Sequence, residues 1–518
     1  MYLKVMGEKF MSVANILRNT AKEHPKKIAV YFEEQEITYE QLDHEVDNLA
    51  QGLLNLGLKR GQMVGLLLGN TPDFIRFYFA ATRAGGVVIP INPLFKGEEL
   101  KYILNDSNPV ILVTTLPFIN LVQSVWNQIA SIKKVIVIGS EVSSDRIVSY
   151  KDIINKKSKP VELDIKDKDI ASCLYTSGTT GRPKGALLSH GNLAFDCIAS
   201  VKRIKFNFED NHLCILPVFH SFCQMGAILA PIYTGGSITV VAQFHPGIIL
   251  KEIKKRNISV FCGVPAMFNA LLTVLANTND YDLSSLRLCV SGGAPMPVEI
   301  IQAYEQKHNI IILEGNGPTE TSPVSYVNPP ELRKVGSVGL PLEGVSVNIV
   351  DENDLKMPVG EVGEICILGD NVMQSYLNLP EATAEALKGG WLHTGDLGKV
   401  DKDGYVFIVD RKKDMLIVGG LNVYPREVEE CLYTHPKVAD AAIIGIHDAK
   451  RGEVPLAVIA LKAELTSSAS EIISHCREHL ANYKCPRKVV FMEKLPLNST
   501  GKIDKKQLRE AYSMGMIQ

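Results

Sequence analysis

At 518 residues the chain is long enough for about three or four folding units, and 46% hydrophobic with 22% charged residues is ordinary globular composition. With 55 Lys and Arg against 57 Asp and Glu, the net charge of −2 argues against nucleic acid as the main partner. No apolar run approaches the ~18 residues of a membrane span, and no secretory leader is visible; peripheral contact with a membrane surface and a homodimer both stay open.

The first half alternates strands and helices. Leu42, Val46, Leu49, Leu53 and Leu56 make one face of a helix that Thr38 and Gln41 begin with a capping box and Gly57 stops. Strand candidates follow at Met63–Leu68, Gly86–Pro90, Val110–Thr114, Val135–Ile138, Leu213–Leu216, Ile238–Val241, Val260–Cys262, Leu286–Val290 and Ile310–Leu313, with a helix over 72–84. This alternation predicts an α/β fold, a large N-terminal domain of parallel sheets covered by helices. The polar segment 142–168 reads as surface loop. After residue 335, Val345–Val350, Gly363–Leu368 and Gly404–Val409 read as a β-rich subdomain. Beyond Arg411 come a helix opened by Pro425, strands Val438–Ile444 and Leu456–Leu461, and a helix over 469–481, a compact α+β unit. The expected division is a large domain over 1–411 and a small one over 412–518.

The ten cysteines show no C-x-x-C and read as reduced core thiols of a cytoplasmic protein. His475 and His479 stand four apart beside Cys476, but two ligands on one helix do not make a closed zinc site, and they read as surface residues. The run from Tyr175 to Gly185, YTSGTTGRPKG, has the composition of a phosphate cradle. Gly178, Gly181 and Gly185 let backbone N–H groups turn towards an anion, Thr176, Ser177, Thr179 and Thr180 add hydroxyls, and Lys184 adds charge. It is not the Walker A pattern, because Pro183 stands where that pattern has glycine.

This run resembles the signature of the adenylate-forming superfamily, which includes acyl-CoA synthetases, adenylation domains and luciferases. Four further matches follow in order: EGNGPTET at Glu314–Thr321, WLHTGD at Trp391–Asp396, DRKKD at Asp410–Asp414 and NSTGK at Asn498–Lys502. The likeness extends from Ile37 to Leu508, and Asp410–Glu429 is most similar to bacterial medium- and long-chain fatty-acid–CoA ligases. The resemblance implies ATP, Mg²⁺ and coenzyme A. A carboxylate oxygen attacks the α-phosphorus of ATP, giving acyl-AMP and pyrophosphate, and a thiol then takes the acyl group. The 175–185 loop would hold the leaving phosphates, Glu320 Mg²⁺, and Thr319 the α-phosphate. Gly292, Gly293 and Ala294 would wall the adenine opposite Glu314, Gly315, Asn316 and Gly317. Asp396, with Arg411 nearby, would accept from the ribose hydroxyls, and Lys502 would bridge carboxylate and α-phosphate. The small domain would be mobile about a hinge at Lys413, with Gly419 and Gly420 giving the pantetheine arm passage. Lys484, Arg487 and Lys488 form a basic cluster that reads as a solvated face.

Asn316 departs from the family, which has an aromatic ring there to stack on adenine, so ATP binding is expected to be weaker than in relatives. The pocket segments by resemblance are Phe219–Gly226, Phe261–Met267, Ser291–Gly293 and Gly315–Val324. Leu216–Gly226 holds no acidic residue to pair an ammonium group, and His220 would stand beside the carboxylate or line the pocket. Gly317 stands where acetate-specific relatives carry a blocking Trp. The expected activity is therefore a medium- to long-chain fatty-acid–CoA ligase. The alternatives are an acyl-AMP ligase loading a carrier protein, an aromatic-acid–CoA ligase, and a catalytically impaired sensor of acyl-AMP.

Overall fold

The computed structural model describes residues 12–141, 143–154, 159–176, 182–276, 278, 280–448, 451–497 and 503–517. The chain divides into two compact units, one running to Ser346 and including Ile367–Leu392, the other comprising Val347–Cys366 and His393 onward.

The larger unit is built on two sheets. The nine-stranded sheet runs Leu340–Pro341, Tyr326–Val327, Ile312–Asn316, Leu288–Ser291, Val260–Gly263, Asn211–Cys214, Ser237–Val240, Ile28–Phe32, Gln35–Thr38. Its middle is parallel and both edges turn antiparallel. Val260–Gly263 and Leu288–Ser291 are buried at every position, as strands covered on both faces must be. Their core includes Phe261, Phe268, Ile301 and Tyr304. The eight-stranded sheet runs Ser375–Tyr376, Lys184–Ser189, Ile170–Thr176, Val87–Pro90, Met63–Leu67, Ile111–Thr115, Lys134–Ile138, Ile147–Ser149. Its first three strands are antiparallel to one another and the rest are parallel. The predicted capping box is present: the Gln41 amide donates to Thr38 Oγ1 (3.2 Å) and the Thr38 amide to Gln41 Oε1 (2.9 Å).

The smaller unit carries a four-stranded sheet in the order Ser346–Val350, Gly363–Leu368, Leu392–Val400, Val406–Arg411. A second sheet runs Leu421–Val423, Leu416–Val418, Gly452–Leu461, Val438–Asp448, with Lys488–Phe491 parallel to Gly452–Leu461. Helices Pro425–Tyr433 and Ala469–His479 pack on it through Val428, Leu432, Ile472 and Cys476.

The α/β architecture with a second α+β unit is as the alternation predicts. Three local readings differ. The 142–168 segment contains the strand Ile147–Ser149 and the helix Lys151–Ile154, each too short to show a period in sequence. Gly404 (φ +87°) turns the chain back on Asp401, so the strand expected from Gly404 begins at Val406. Ile28–Phe32 and Gln35–Thr38 form a hairpin at the edge of the nine-stranded sheet that the sequence reading passed over.

Candidate active site

In the larger unit, the strands on either side of the predicted phosphate loop pair with each other. Ile170–Thr176 pairs antiparallel with Lys184–Ser189, bringing Thr176 opposite Lys184. Ser177, Gly178, Thr179, Thr180 and Gly181 lie outside the described residues. The stem is held from two sides. Tyr175 Oη donates to Asp106 Oδ2 (2.6 Å), and Tyr102 Oη donates to the Pro183 carbonyl (3.1 Å), with the Arg182 guanidinium 5.5 Å from the Tyr102 ring centre. Burial raises the Tyr175 phenol, and its hydrogen bond to Asp106 adds to the effect, so it stays a donor.

Lys184 leads to Glu320. Its Nζ lies 5.1 Å from the centre of the Tyr376 ring, and Tyr376 Oη donates to Glu320 Oε1 (2.7 Å). Burial first, then the neighbouring carboxylate, raises the Tyr376 phenol well above its ordinary range. The strand Ser375–Tyr376 reaches this place for traceable reasons. Ser189 caps the helix His190–Ile204 with Asn192 as capping-box partner. The Asn192 amide nitrogen donates to the Asp370 and Val372 carbonyls (2.7 and 2.9 Å), and the Met373 amide donates to the Glu320 carbonyl (2.7 Å). Sequence reasoning missed Tyr376, 56 residues after Glu320 and outside any motif.

Glu320 lies in the short 3₁₀ turn Thr319–Thr321, where Thr319 Oγ1 is 3.5 Å from Ser221 Oγ. His220 caps the turn Ser221–Cys223, its Nδ1 accepting from the Phe222 amide (3.2 Å), so the neutral ring carries its proton on Nε2. Asn70 braces the segment before it, donating to the Leu216 carbonyl (2.9 Å) and accepting from the Val218 amide (3.0 Å).

Gly292, Gly293 (φ +80°) and Ala294 follow the strand Leu288–Ser291, and Glu314 to Asn316 end the adjacent strand. A Cβ on Gly292 would lie 3.1 Å from the Gly315 carbonyl oxygen and 3.3 Å from Phe222 Cε1, while one on Gly226 would lie 3.6 Å from Phe222 Cε2. The Phe222 ring thus covers both glycine faces, beside Cys262 Sγ at 3.0 Å from the Gly226 Cβ position. Glu314 is a brace: buried, it accepts from the Gly336 amide (3.0 Å). Asn316 Oδ1 accepts from the Gly317 amide (2.8 Å), so its amide is engaged locally. A Cβ on Gly317 would lie 2.2 Å from the Pro323 carbonyl oxygen and 2.7 Å from the Ser325 amide. The backbone itself demands that glycine, which removes it as a sign of pocket length.

In the smaller unit, Asp396 and Arg411 are cross-strand partners, with Arg411 Nε 3.2 Å from Asp396 Oδ1. Asp396 is buried and Arg411 exposed. Glu364, which no motif marks, accepts from the Gly395 amide (3.1 Å) and pairs with Lys412 Nζ (3.0 Å). Asp410 accepts from the Arg426 amide (2.9 Å), capping the helix Pro425–Tyr433. Lys413 is exposed. Gly419 (φ +58°) and Gly420 (φ +84°) form the two-residue turn of the Leu416–Val423 hairpin, conformations that glycine adopts without cost. Lys502 lies outside the described residues; Leu497 and Ile503, on either side, pair as an antiparallel bridge. The basic cluster has separate local partners: Lys484 pairs with Glu427 (2.6 Å), Arg487 donates to the Asn482 carbonyl (2.9 Å) and Lys488 to Tyr512 Oη (3.5 Å).

The AMP-binding enzyme family matches residues 17–377, and the AMP-binding enzyme C-terminal domain matches 427–502. A feruloyl-CoA synthase from an Amycolatopsis species is 34% identical over 494 residues, 95% of this chain and 97% of the relative. A long-chain-fatty-acid–CoA ligase from Salmonella typhimurium is 32% identical, over 98% of this chain and 96% of the relative. The crystal structure of the anthranilate CoA ligase AuaEII with anthranoyl-AMP superposes with a TM-score of 0.90 at 31% identity, covering 97% of both chains. The chain belongs to the AMP-binding enzyme family. Its chemistry is AMP-forming acid–CoA ligation, with ATP, Mg²⁺ and coenzyme A as cofactors. Among the described residues no helix is long and apolar enough to cross a membrane.

Proposed function

We propose that this enzyme joins an apolar carboxylic acid lacking an ammonium group to coenzyme A through an acyl adenylate. The observation that carries the reading is the line Lys184–Tyr376–Glu320, which sets a cation and a hard carboxylate at the stem of the glycine-rich loop. Glu320 fits magnesium. Among the described residues it has no ion-pair partner, its side chain accepts from a neutral phenol, and carboxylate oxygen suits that ion. Bound there, the ion supplies charge that offsets the triphosphate. Lys184 and the hydroxyls of the loop would orient the leaving phosphates, Thr319 would donate to the α-phosphate, and Asp396 would accept from the ribose. Lys502 would steady the carboxylate and α-phosphate oxygens.

Two readings of the acid each have support. A medium- to long-chain fatty acid fits the segment Leu216–Gly226, which lacks carboxylates and whose Val218 and Met225 are buried apolar side chains. An aromatic acid is favoured by Phe222, whose ring covers the glycine faces at 226 and 292 and leaves a flat wall, not a path for an extended chain. Relatives of both kinds are almost equally similar, at 34% and 32% identity.

The test is CoA thioester formation across benzoate- and cinnamate-type acids and straight-chain acids, with wild type, Phe222→Ala and Lys502→Ala. CoA-dependent turnover lost in Lys502→Ala supports the ligase. A preference for ring-bearing acids, with longer chains gained only in Phe222→Ala, supports the aromatic reading. Long-chain turnover in wild type, unchanged by Phe222→Ala, supports the fatty-acid reading. Pyrophosphate release that CoA does not accelerate would contradict the ligase and favour transfer to a carrier protein.

A further inference from the structure

Away from this chemistry, the smaller unit brings three metal-ligating side chains together that are far apart in sequence. Cys431 lies in the helix Pro425–Tyr433, and His475 and His479 lie one turn apart at the end of Ala469–His479. One donor atom from each lies within 4.8 Å of the others, and among the described residues this is the one such group of three. The sequence showed the two histidines, and Cys431 is the third ligand it could not place beside them. Burial grades outward from buried Cys431 through half-buried His475 to exposed His479, so the group is reachable from solvent.

Each ring has one nitrogen engaged by a backbone carbonyl, which fixes its tautomer. His479 Nδ1 lies 2.8 Å from the His475 carbonyl, which can only accept, so that nitrogen carries the proton and Nε2 the lone pair. His475 Nε2 lies 3.1 Å from the Cys431 carbonyl and 2.9 Å from Thr434 Oγ1, and a proton donated to that carbonyl leaves its other nitrogen basic. A backbone carbonyl accepting from the non-ligating N–H is the arrangement that fixes tautomer and ring angle around bound metals. A hydrogen bond from Cys476 holds the Cys431 thiol below its ordinary range against the effect of burial. His435 stands edge-on to His475, centroids 4.9 Å apart, but its Nδ1 accepts from the Lys437 amide (3.3 Å) and its Nε2 faces Glu471 (3.7 Å), so it is a wall of the group.

We propose that Cys431, His475 and His479 bind a thiophilic divalent cation, Zn²⁺ by donor chemistry, with a fourth position open to water or an exogenous ligand. One sulfur and two imidazoles suit a tetrahedral borderline ion and not magnesium, so this site would not compete for the metal of the ligase reaction. A bound ion would tie Pro425–Tyr433 to the last turn of Ala469–His479.

The probe is Co²⁺ alone, titrated into the reduced full-length protein and then displaced with Zn²⁺. Tetrahedral visible bands and a thiolate-to-cobalt charge-transfer band should saturate at one equivalent. His479→Ala, at an exposed position that leaves the fold intact, should weaken Co²⁺ binding at least about tenfold, no less than loss of an outer-shell partner does. Cys431→Ser should abolish the charge-transfer band. Absence of that band in the wild type would overturn the proposal, as would an identical titration in His479→Ala, which would place the ion away from His479, or a band retained in Cys431→Ser, which would locate the thiolate elsewhere. Because none of these readouts uses acid, ATP or coenzyme A, the result is independent of the ligase reading.

Discussion

Glu320 and Asp396 are both motif carboxylates, and the two units partner them differently. The Glu320 carboxylate accepts from the phenol of Tyr376, a neutral donor kept protonated by burial and by the carboxylate itself. A neutral partner orients the group and leaves its full charge to act on a cation. Asp396 faces Arg411 across two strands at 3.2 Å. That guanidinium offsets the charge and leaves oxygen lone pairs suited to neutral donors such as hydroxyls. On the proposed assignment, the charge of its neighbour would set the same functional group towards metal binding in one unit and towards hydrogen bonding in the other.

Exchanging the carboxylates for amides breaks this contrast most sharply. Glu320→Gln keeps size and shape but removes the charge, and pyrophosphate release at fixed magnesium should fall by about 100-fold or more. A variant within a few-fold of wild type would show that the cation is held elsewhere. Asp396→Asn should act on ATP affinity. Losing one charge-assisted hydrogen bond costs about 1.5–3 kcal/mol, so KM for ATP should rise at least about tenfold with kcat changed less. A fall in kcat at unchanged KM would assign Asp396 to the chemical step instead.

Removing the orienting phenol sharpens the comparison. Tyr376→Phe deletes one hydrogen bond to a charged group, worth about 1.5 kcal/mol at the low end, so the magnesium concentration for half-maximal rate should rise about tenfold while KM for ATP at saturating magnesium holds. If both move together, Tyr376 serves the nucleotide and not the carboxylate. The smallest effect is expected at Asn316. Tyrosine there adds ring area against adenine but gives up the contact with the Gly317 amide, so KM for ATP should drop only a few-fold; an unchanged or higher KM would show that the base does not stack there.

Glu320, Asp396, Arg411 and Lys184 were legible in the sequence because each lies within a contiguous motif, and a motif preserves the order of a local turn or strand. Tyr376, Asn192 and Glu364 were not, because they act through contacts that join distant segments: Tyr376 meets Glu320 only after the Asn192 side chain has fixed the strand that carries it. Cys431 escaped for the same reason, since packing of two helices brings it to His475 and His479. Glycines were legible as residues but not always as causes. Gly419 and Gly420 are required by positive φ in a two-residue turn, whereas Gly317 is required by the Pro323 carbonyl lying where its side chain would be. The large alternating pattern gave the α/β architecture because buried parallel strands are continuous apolar runs; elements of three residues such as Ile147–Ser149 have no room for a period.

The most direct measurement is acid-dependent pyrophosphate formation followed against magnesium at saturating ATP, and against ATP at saturating magnesium, for wild type, Glu320→Gln and Asp396→Asn. The prediction is a split: Glu320→Gln moves the magnesium curve and depresses the rate, while Asp396→Asn moves only the ATP curve. Both variants moving the same curve, or the two effects being exchanged, would contradict the assignment of a metal carboxylate to one unit and a ribose carboxylate to the other.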